Sequence, residues 1–563
     1  MDWQRSLLIG AMVAVVYLLF LEWNTFQEQH QPAQQAGVSE TLLTPELPSA
    51  SQLPLSESTG TDVPLGGSDN NGVKTRGDSM FETLFTSRLV SVKTDVLDIQ
   101  IDTQGGDIVR AGLLKHRTTL DDDSEPFTLL NRTTAQTYVA QSGLIGKDGT
   151  DTKSGRPLFL VAKDTYQLKD GQDELVVQLV LERGGVTITK NFIFRRGDYL
   201  VDLVYDIDNR GDEGWSAGLF GQIKRDSQDV AAGSAPGMGV QPFLGAALTT
   251  SEENYKKMDF EDIAEKPLKE TVGGGWVAMV QHYFISAWIP DQSTTNSFNL
   301  RKLGGSDLYT LGFTSPAVSV EPGNKGEIRA AFYVGPKDQY RLEKISPYLD
   351  LTVDYGWLWW IAKPLFWIMY QLHNIVGNWG WSIILLTVLV KAAFFKLSAT
   401  SYKSMAKMRK LQPEMARIRE LYSDDRQKMS QETMNLYKKE KVNPMGGCLP
   451  ILVQMPVFLA LYWVLLESVE LRHAPWIFWI QDMSVKDPLF ILPLLMGASM
   501  FIQQKLNPAP PDPTQAKVMQ IMPIAFTFFF LFFPAGLVLY WTVNNTLSII
   551  QQWIITRKIE AAG

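Results

Sequence analysis

Apolar residues in this chain are gathered into long runs near its two ends, and that distribution constrains the fold more than any average does. Leu7 to Leu21 reads LLIGAMVAVVYLLFL, and beyond about Leu349 the chain is again dense in Leu, Phe, Ile and Trp. The stretch between has the makeup of a soluble domain. Averaged over 563 residues the chain is 45% hydrophobic with a net charge of −8, which a soluble protein could share. Several separate runs near the roughly 20 residues that cross a bilayer instead indicate a multi-pass membrane protein carrying a soluble domain.

The first run, with Arg5 before it, has the outline of a secretory signal, but Glu22, Trp23 and Asn24 follow where small residues would mark cleavage. Residues 1–23 are therefore read as an uncleaved anchor. Residues 24–84 are rich in Gln, Ser, Pro, Gly and Asp and bury too little apolar area to order themselves, so a flexible linker is expected. Gly67 to Thr75 within it has the glycines and lysine of a phosphate-binding loop. Val73 parts Gly72 from Lys74 and no strand precedes, so no nucleotide site is inferred.

From 85 to 345 the period is two. Leu97, Ile99 and Ile101 alternate with polar residues, as do Val177, Leu179 and Leu181. Gly184-Gly185 turns the chain into Val186, Ile188, Lys190, Phe192 and Phe194, and Tyr199 to Ile207 repeats the pattern. Many consecutive half-buried strands joined by glycine turns predict an antiparallel β-sandwich. Its carboxylates fall mainly on the exposed strand faces or in turns, without an acid/base couple. The single cysteine, Cys448, excludes an intramolecular disulfide and reads as a packed thiol. His30, His116, His282, His373 and His473 lack metal-ligand spacing, so no metal is expected.

Residues 346–563 form the membrane core. An aromatic-rich stretch at 356–370 suits a helix lying at the interface, and spans are expected over 380–397, 449–467, 489–504, 518–533 and 536–555, making six with the anchor. The last two are joined at Pro534-Ala535-Gly536 as a tight hairpin. The 398–447 loop carries eleven of the Lys and Arg residues between Lys403 and Lys441, whereas the next loop carries only Arg472 and Lys486. The positive-inside rule puts the first loop in the cytoplasm, the β-rich domain outside and both termini inside. Apolar residues every three or four positions from Tyr402 to Tyr422, then a second helical stretch from Arg426 to Lys441, predict a cytoplasmic helical hairpin.

Lys391 is the informative residue. A charge inside a span is costly unless it faces water or a partner, and no Asp or Glu lies well inside another span. Lys391 is therefore expected to face a wet cavity, the alternative being that it reaches out to the cytoplasmic interface, since Lys396 and Leu397 end the span; Thr387 lies one turn earlier on its face. Gln454 in the 449–467 span, Gln504 at the end of the 489–504 span, and Tyr540, Trp541 and Asn544 in the last span are expected to line the cavity; that last span also carries Thr542, Asn545, Thr546, Ser548, Gln551 and Gln552.

The stretches SYKSMAKMRKL (401–411), KVNPMGGCLPILVQMP (441–456) and FPAGLVLY (533–540) resemble the YidC branch of the YidC/Oxa/Alb membrane-insertase family, and the likeness covers essentially the whole chain. The resemblance implies a β-supersandwich outside and a five-helix core with a groove open to cytoplasm and lipid. It implies insertion and folding of integral membrane proteins in the bacterial inner membrane, alone or with the Sec translocon. Implied partners are nascent membrane proteins, the ribosome, with Lys407, Arg409 and Lys410 as a docking patch, and the lipid bilayer. No cofactor, small-molecule substrate or specific nucleic acid sequence is implied, and no enzyme activity. The family's groove charge is usually arginine; Lys391 keeps the charge without the bidentate fork. The main alternative is a secondary transporter using the intramembrane lysine, which predicts inverted repeats and broken helices at midplane, and no repeat pair is found among the spans. A membrane hydrolase would need a nucleophile with a base, and the spans offer none. With a flexible linker and no catalytic constellation, the β-rich domain is expected to be largely dispensable for insertion.

Overall fold

The computed structural model describes Pro64 and residues 88–561, except 122, 153–154, 229–241, 423–424, 441, 443–448 and 508–512. The expected anchor, the linker other than Pro64, and Cys448 lie outside the described residues.

Two sheets face each other in the β-rich part. One is eleven-stranded, running from Leu268–Gly273 at one edge through Thr295–Leu303, Leu308–Thr314, Trp215–Arg225 and Thr137–Ile145 to Leu89–Lys93 and Thr165–Gln167. The other is nine-stranded and centres on Phe284–Pro290, Lys325–Pro336, Leu200–Asn209 and Val186–Arg195. Gly184 and Gly185, at φ 59° and 77°, close the hairpin in which Arg183 faces Val186. Both central turn residues need positive φ, which glycine adopts without a Cβ clash. The alternating residues read from the sequence point between the sheets: Val177, Leu179, Ile188, Phe192, Phe194, Val201, Leu203 and Tyr205 are all buried. Trp288 and Phe313 fill the space over Gly221, where a Cβ would lie 2.6 Å from the Phe313 ring and 2.8 Å from Trp288.

The same inward row carries a charge. Lys190 is fully buried, and its ammonium donates to the carbonyls of Gly105, Gly106 and Ser142 at 2.9, 2.8 and 3.0 Å, with the Phe192 and Tyr205 rings 5.2 and 5.4 Å away. Burial pushes it down to about 7. Nearby Arg156 pairs with Asp107 and, at 2.7 Å, with Asp151. These two aspartates, with Asp102, are buried, so they depart from the solvated surface expected of the domain's carboxylates.

Eleven helices follow in chain order among the described residues. Within or just after the sheets come α1 (Phe260–Glu265) and α2 (Gln339–Ile345). Then come α3 (Trp359–Val376), α4 (Trp379–Ala393), α5 (Phe395–Lys410), α6 (Gln412–Leu421) and α7 (Arg426–Lys439). The last four are α8 (Leu449–Glu467), α9 (Ile491–Leu506), α10 (Pro513–Phe530) and α11 (Ala535–Ala561). Asn378 starts α4, accepting from the Trp381 amide at 3.2 Å while its own amide group donates to Pro475 O at 3.1 Å. A loop holds the α10–α11 turn: the amides of Ala535 and Gly536 donate to Val485 O and Met483 O at 2.7 and 2.9 Å.

Where 380–397 reads as one span, the helix stops at Ala393, and α5 leaves at 67° after Phe394. Among the described residues no single helix is long and apolar enough to cross a membrane; α4 and α5 together are, and Val453–Glu467 and Lys517–Phe530 are shorter apolar helices. The cytoplasmic hairpin of the sequence reading corresponds to α5, α6 and α7, with Tyr437 donating to the Met415 sulfur at 3.4 Å between its arms. Along α3, Trp359, Trp360 and Trp367 are each more than half exposed.

Candidate functional site

The broken α4–α5 helix, α8, α9, α10 and α11 enclose a cavity of about 270 Å³. Its apolar wall includes Met405, Met455, Met500, Met519 and Met522, flexible side chains able to re-pack around varied shapes. Its polar wall is built around Lys391, in the last turn of α4, where the helix dipole favours a cation.

The Lys391 ammonium donates to Ser548 Oγ at 2.7 Å and to Gln454 Oε1 at 3.3 Å. The Gln454 amide group then donates to Asn544 Oδ1 at 2.5 Å. Ser548 and Asn544 lie one turn apart on α11, so a single chain of bonds ties α4, α8 and α11 together. One helix face beyond, Asn545 donates to Ser499 Oγ at 3.2 Å. Among the described residues none of Lys391's partners is a carboxylate. Its charge is therefore solvated by neutral dipoles and left uncompensated for a ligand to meet.

Of the residues expected to line the cavity, Lys391, Gln454, Gln504, Tyr540, Trp541 and Asn544 do so. Tyr540 is buried, and Trp541 packs edge-on against Phe458 with centroids 4.1 Å apart. Thr387 does not reach it: the side chain is buried and its hydroxyl donates to Ile383 O at 2.7 Å, within its own helix. Ser398, Ser401 and Tyr402 line the cavity from α5 and were not anticipated, because the sequence placed them in a cytoplasmic loop. Lys407, Arg409 and Lys410 stand exposed at the end of α5, away from this lining.

The fold and the cavity together define a class: a helical core with apolar outer faces, a cationic polar cavity within, and a large β domain attached. Residues 89–368 match the YidC periplasmic domain family, and residues 371–562 match the 60Kd inner membrane protein family. The chain is 56% identical to a membrane protein insertase YidC of Cellvibrio japonicus, over all of this chain and 99% of that one. It is 52% identical to one of Pseudomonas aeruginosa, over the full length of both. It is also similar to a solved active YidC insertase with its first transmembrane domain resolved, at 19% identity, covering 82% of this chain and 92% of that one, with a TM-score of 0.37. The chain belongs to the YidC family of membrane protein insertases, which are inner membrane proteins with a periplasmic domain.

Proposed function

We propose that the cavity around Lys391 is the groove through which this insertase passes the polar flank of a substrate. The observation that carries this is the ammonium held by Gln454 and Ser548, without a carboxylate among its described partners, on the polar wall of a cavity between apolar helices. A short tail crossing a bilayer must shed its water, and a wet cavity reaching partway lowers that cost. The ammonium adds attraction for acidic residues in the tail, strongest where the surroundings are least polar. Helices shorter than a full bilayer crossing would thin the membrane beside the groove and shorten the remaining path. The substrate's apolar helix then leaves past the exposed Ile521, Ile524 and Phe528 on α10. Burial of that helix in lipid drives the step without a nucleotide or an enzymatic reaction.

In this reading the chain crosses the inner membrane six times with both termini in the cytoplasm, the β domain lies in the periplasm, and α5 to α7 face the cytoplasm. The exposed Lys407, Arg409 and Lys410 meet the ribosome, and larger substrates are shared with the Sec translocon. The test is photo-crosslinking from residues 504 and 541 to a stalled nascent membrane protein. Adducts to the substrate's translocating flank are expected, and adducts found only from lipid-facing positions such as 524 would overturn the groove.

A further inference from the structure

The C-terminal end of α8 is completed by the β domain. A helix leaves its last carbonyls without intrahelical partners. Here His282 Nε2, on the loop before Phe284–Pro290, donates to Leu466 O at 2.9 Å. Beside it, Lys337 leaves the end of the Lys325–Pro336 strand, its amide fixed on Tyr283 O at 2.9 Å, and its ammonium pairs with Glu467 at 2.6 Å. The two side chains are 2% and 4% exposed. Five residues past Glu467, Arg472 donates to Arg117 O at 2.7 Å and lies over the rings of Phe127 and Phe284 at 5.7 and 5.5 Å.

A fully buried ion pair is poor value as a source of stability, because desolvating both charges offsets their attraction. What it supplies is position: either charge alone is severely disfavoured there, so the strand end and the helix end must stay together. The helix so held is the one that carries Gln454 into the groove, roughly 20 Å along its axis from Glu467. We propose that Lys337 and Glu467 act as a clamp through which the β domain sets the position of α8, and that they are positioning residues for the groove. This rests on the groove reading above for its consequence but not for the clamp itself. It also revises the expectation that the domain is dispensable.

The test uses the full chain with Cys448→Ser and a reporter cysteine at the cavity-lining Met455. Lys337→Met and Glu467→Met are each expected to lower insertion of a model substrate at matched expression by at least about fivefold, because each strands a buried charge. Each should also change the thiol-labelling rate at 455. Lys337→Met/Glu467→Met, which removes both charges, should restore both readouts. The exchange Lys337→Glu/Glu467→Lys, which keeps a pair, covers the case in which a single variant fails to accumulate and should likewise recover. Doubles no better than the singles would show that the two do not act as a unit. Insertion lost with labelling at 455 unchanged would show a clamp that does not reach the groove. Either result overturns the proposal. Restored labelling in a protein whose insertion proves indifferent to Lys391 would overturn the groove mechanism and leave the clamp standing.

Discussion

Lys391 Nζ lies 2.7 Å from Ser548 Oγ, and that hydroxyl spends its own proton on the Asn544 carbonyl at 2.8 Å. The oxygen therefore turns a lone pair to the ammonium and cannot rotate away without losing a bond. Ser548→Ala removes this acceptor but leaves room for water, which replaces a direct bond at a cost of about 0–2 kcal/mol. Insertion should fall only slightly. Ser548→Leu fills the same space with an apolar group and dries the wall, and should impair insertion far more. Pulse-labelled insertion assays at matched expression check the pair; equal effects would mean that hydration at Lys391 does not matter.

Lys407, Arg409 and Lys410 stand exposed on one end of α5, outside the cavity lining. Reversing all three to Glu should weaken co-sedimentation with ribosomes, and the difference from the parent should be largest at low salt, where exposed charges act over a longer range. Unchanged co-sedimentation would make this end of the helix a solvated connector.

His282 is held neutral at the junction. Burial, with Lys337 adding to it, lowers its pKa to about 3. The unfolded chain takes up this proton as pH falls through about 6.5, whereas the folded chain stays neutral until about 3. Stability from this group is thus complete above pH 6.5 and is lost between there and 3, by on the order of 2 kcal/mol at pH 5. At pH 5, relative to 7.5, this group should therefore lower the melting temperature of the detergent-purified protein. His282→Gln, which keeps a donor for Leu466 O without titrating, should show a smaller difference. Matching pH profiles for the two proteins would remove His282 from the account.

Gly221→Ala tests the packing between the sheets. The added methyl would meet the Phe313 and Trp288 rings at 2.6 and 2.8 Å, both of them buried. Overpacking of this kind costs about 1–3 kcal/mol. A lowered melting temperature is expected, with insertion retained at permissive temperature; an unchanged melt would show that the rings have room to shift.

The sandwich was legible because alternation records burial residue by residue, and the glycine pair at 184–185 marks its turn. Lys190 sat in that alternation without betraying its role, since the carbonyls that hold it come from Gly105, Gly106 and Ser142, far away in sequence. In the helical part, Gln454, Asn544 and Lys391 stood out as polar groups within apolar runs. Thr387 misled because helical spacing fixes the face but not the depth, and only the last turn of α4 reaches the cavity. Ser398, Ser401 and Tyr402 were missed because the break at Phe394 involves neither proline nor glycine. The Lys337–Glu467 pair joins residues 130 positions apart, beyond any local pattern.

The groove mechanism is most exposed at Lys391 itself. If a positive charge is what matters, Lys391→Arg should support insertion, because the guanidinium keeps the charge and can still reach Gln454 and Ser548. Lys391→Ala and Lys391→Glu should impair substrates whose translocated tails are acidic. The Glu variant should be worse, because it adds repulsion to lost attraction in a poorly screened site. Substrates without acidic tail residues should depend less on the charge, since hydration by Gln454, Asn544 and Ser548 remains. A cysteine at 391, with Cys448 replaced, should react with a water-soluble thiol reagent added from the cytoplasmic side. A lysine that merely reaches out to the interface gives another pattern: the Ala variant is mild for every substrate and tail charge is irrelevant. Equal insertion of acidic-tailed substrates by the Lys and Glu proteins, at matched expression, would refute the charge mechanism while leaving the chain an insertase.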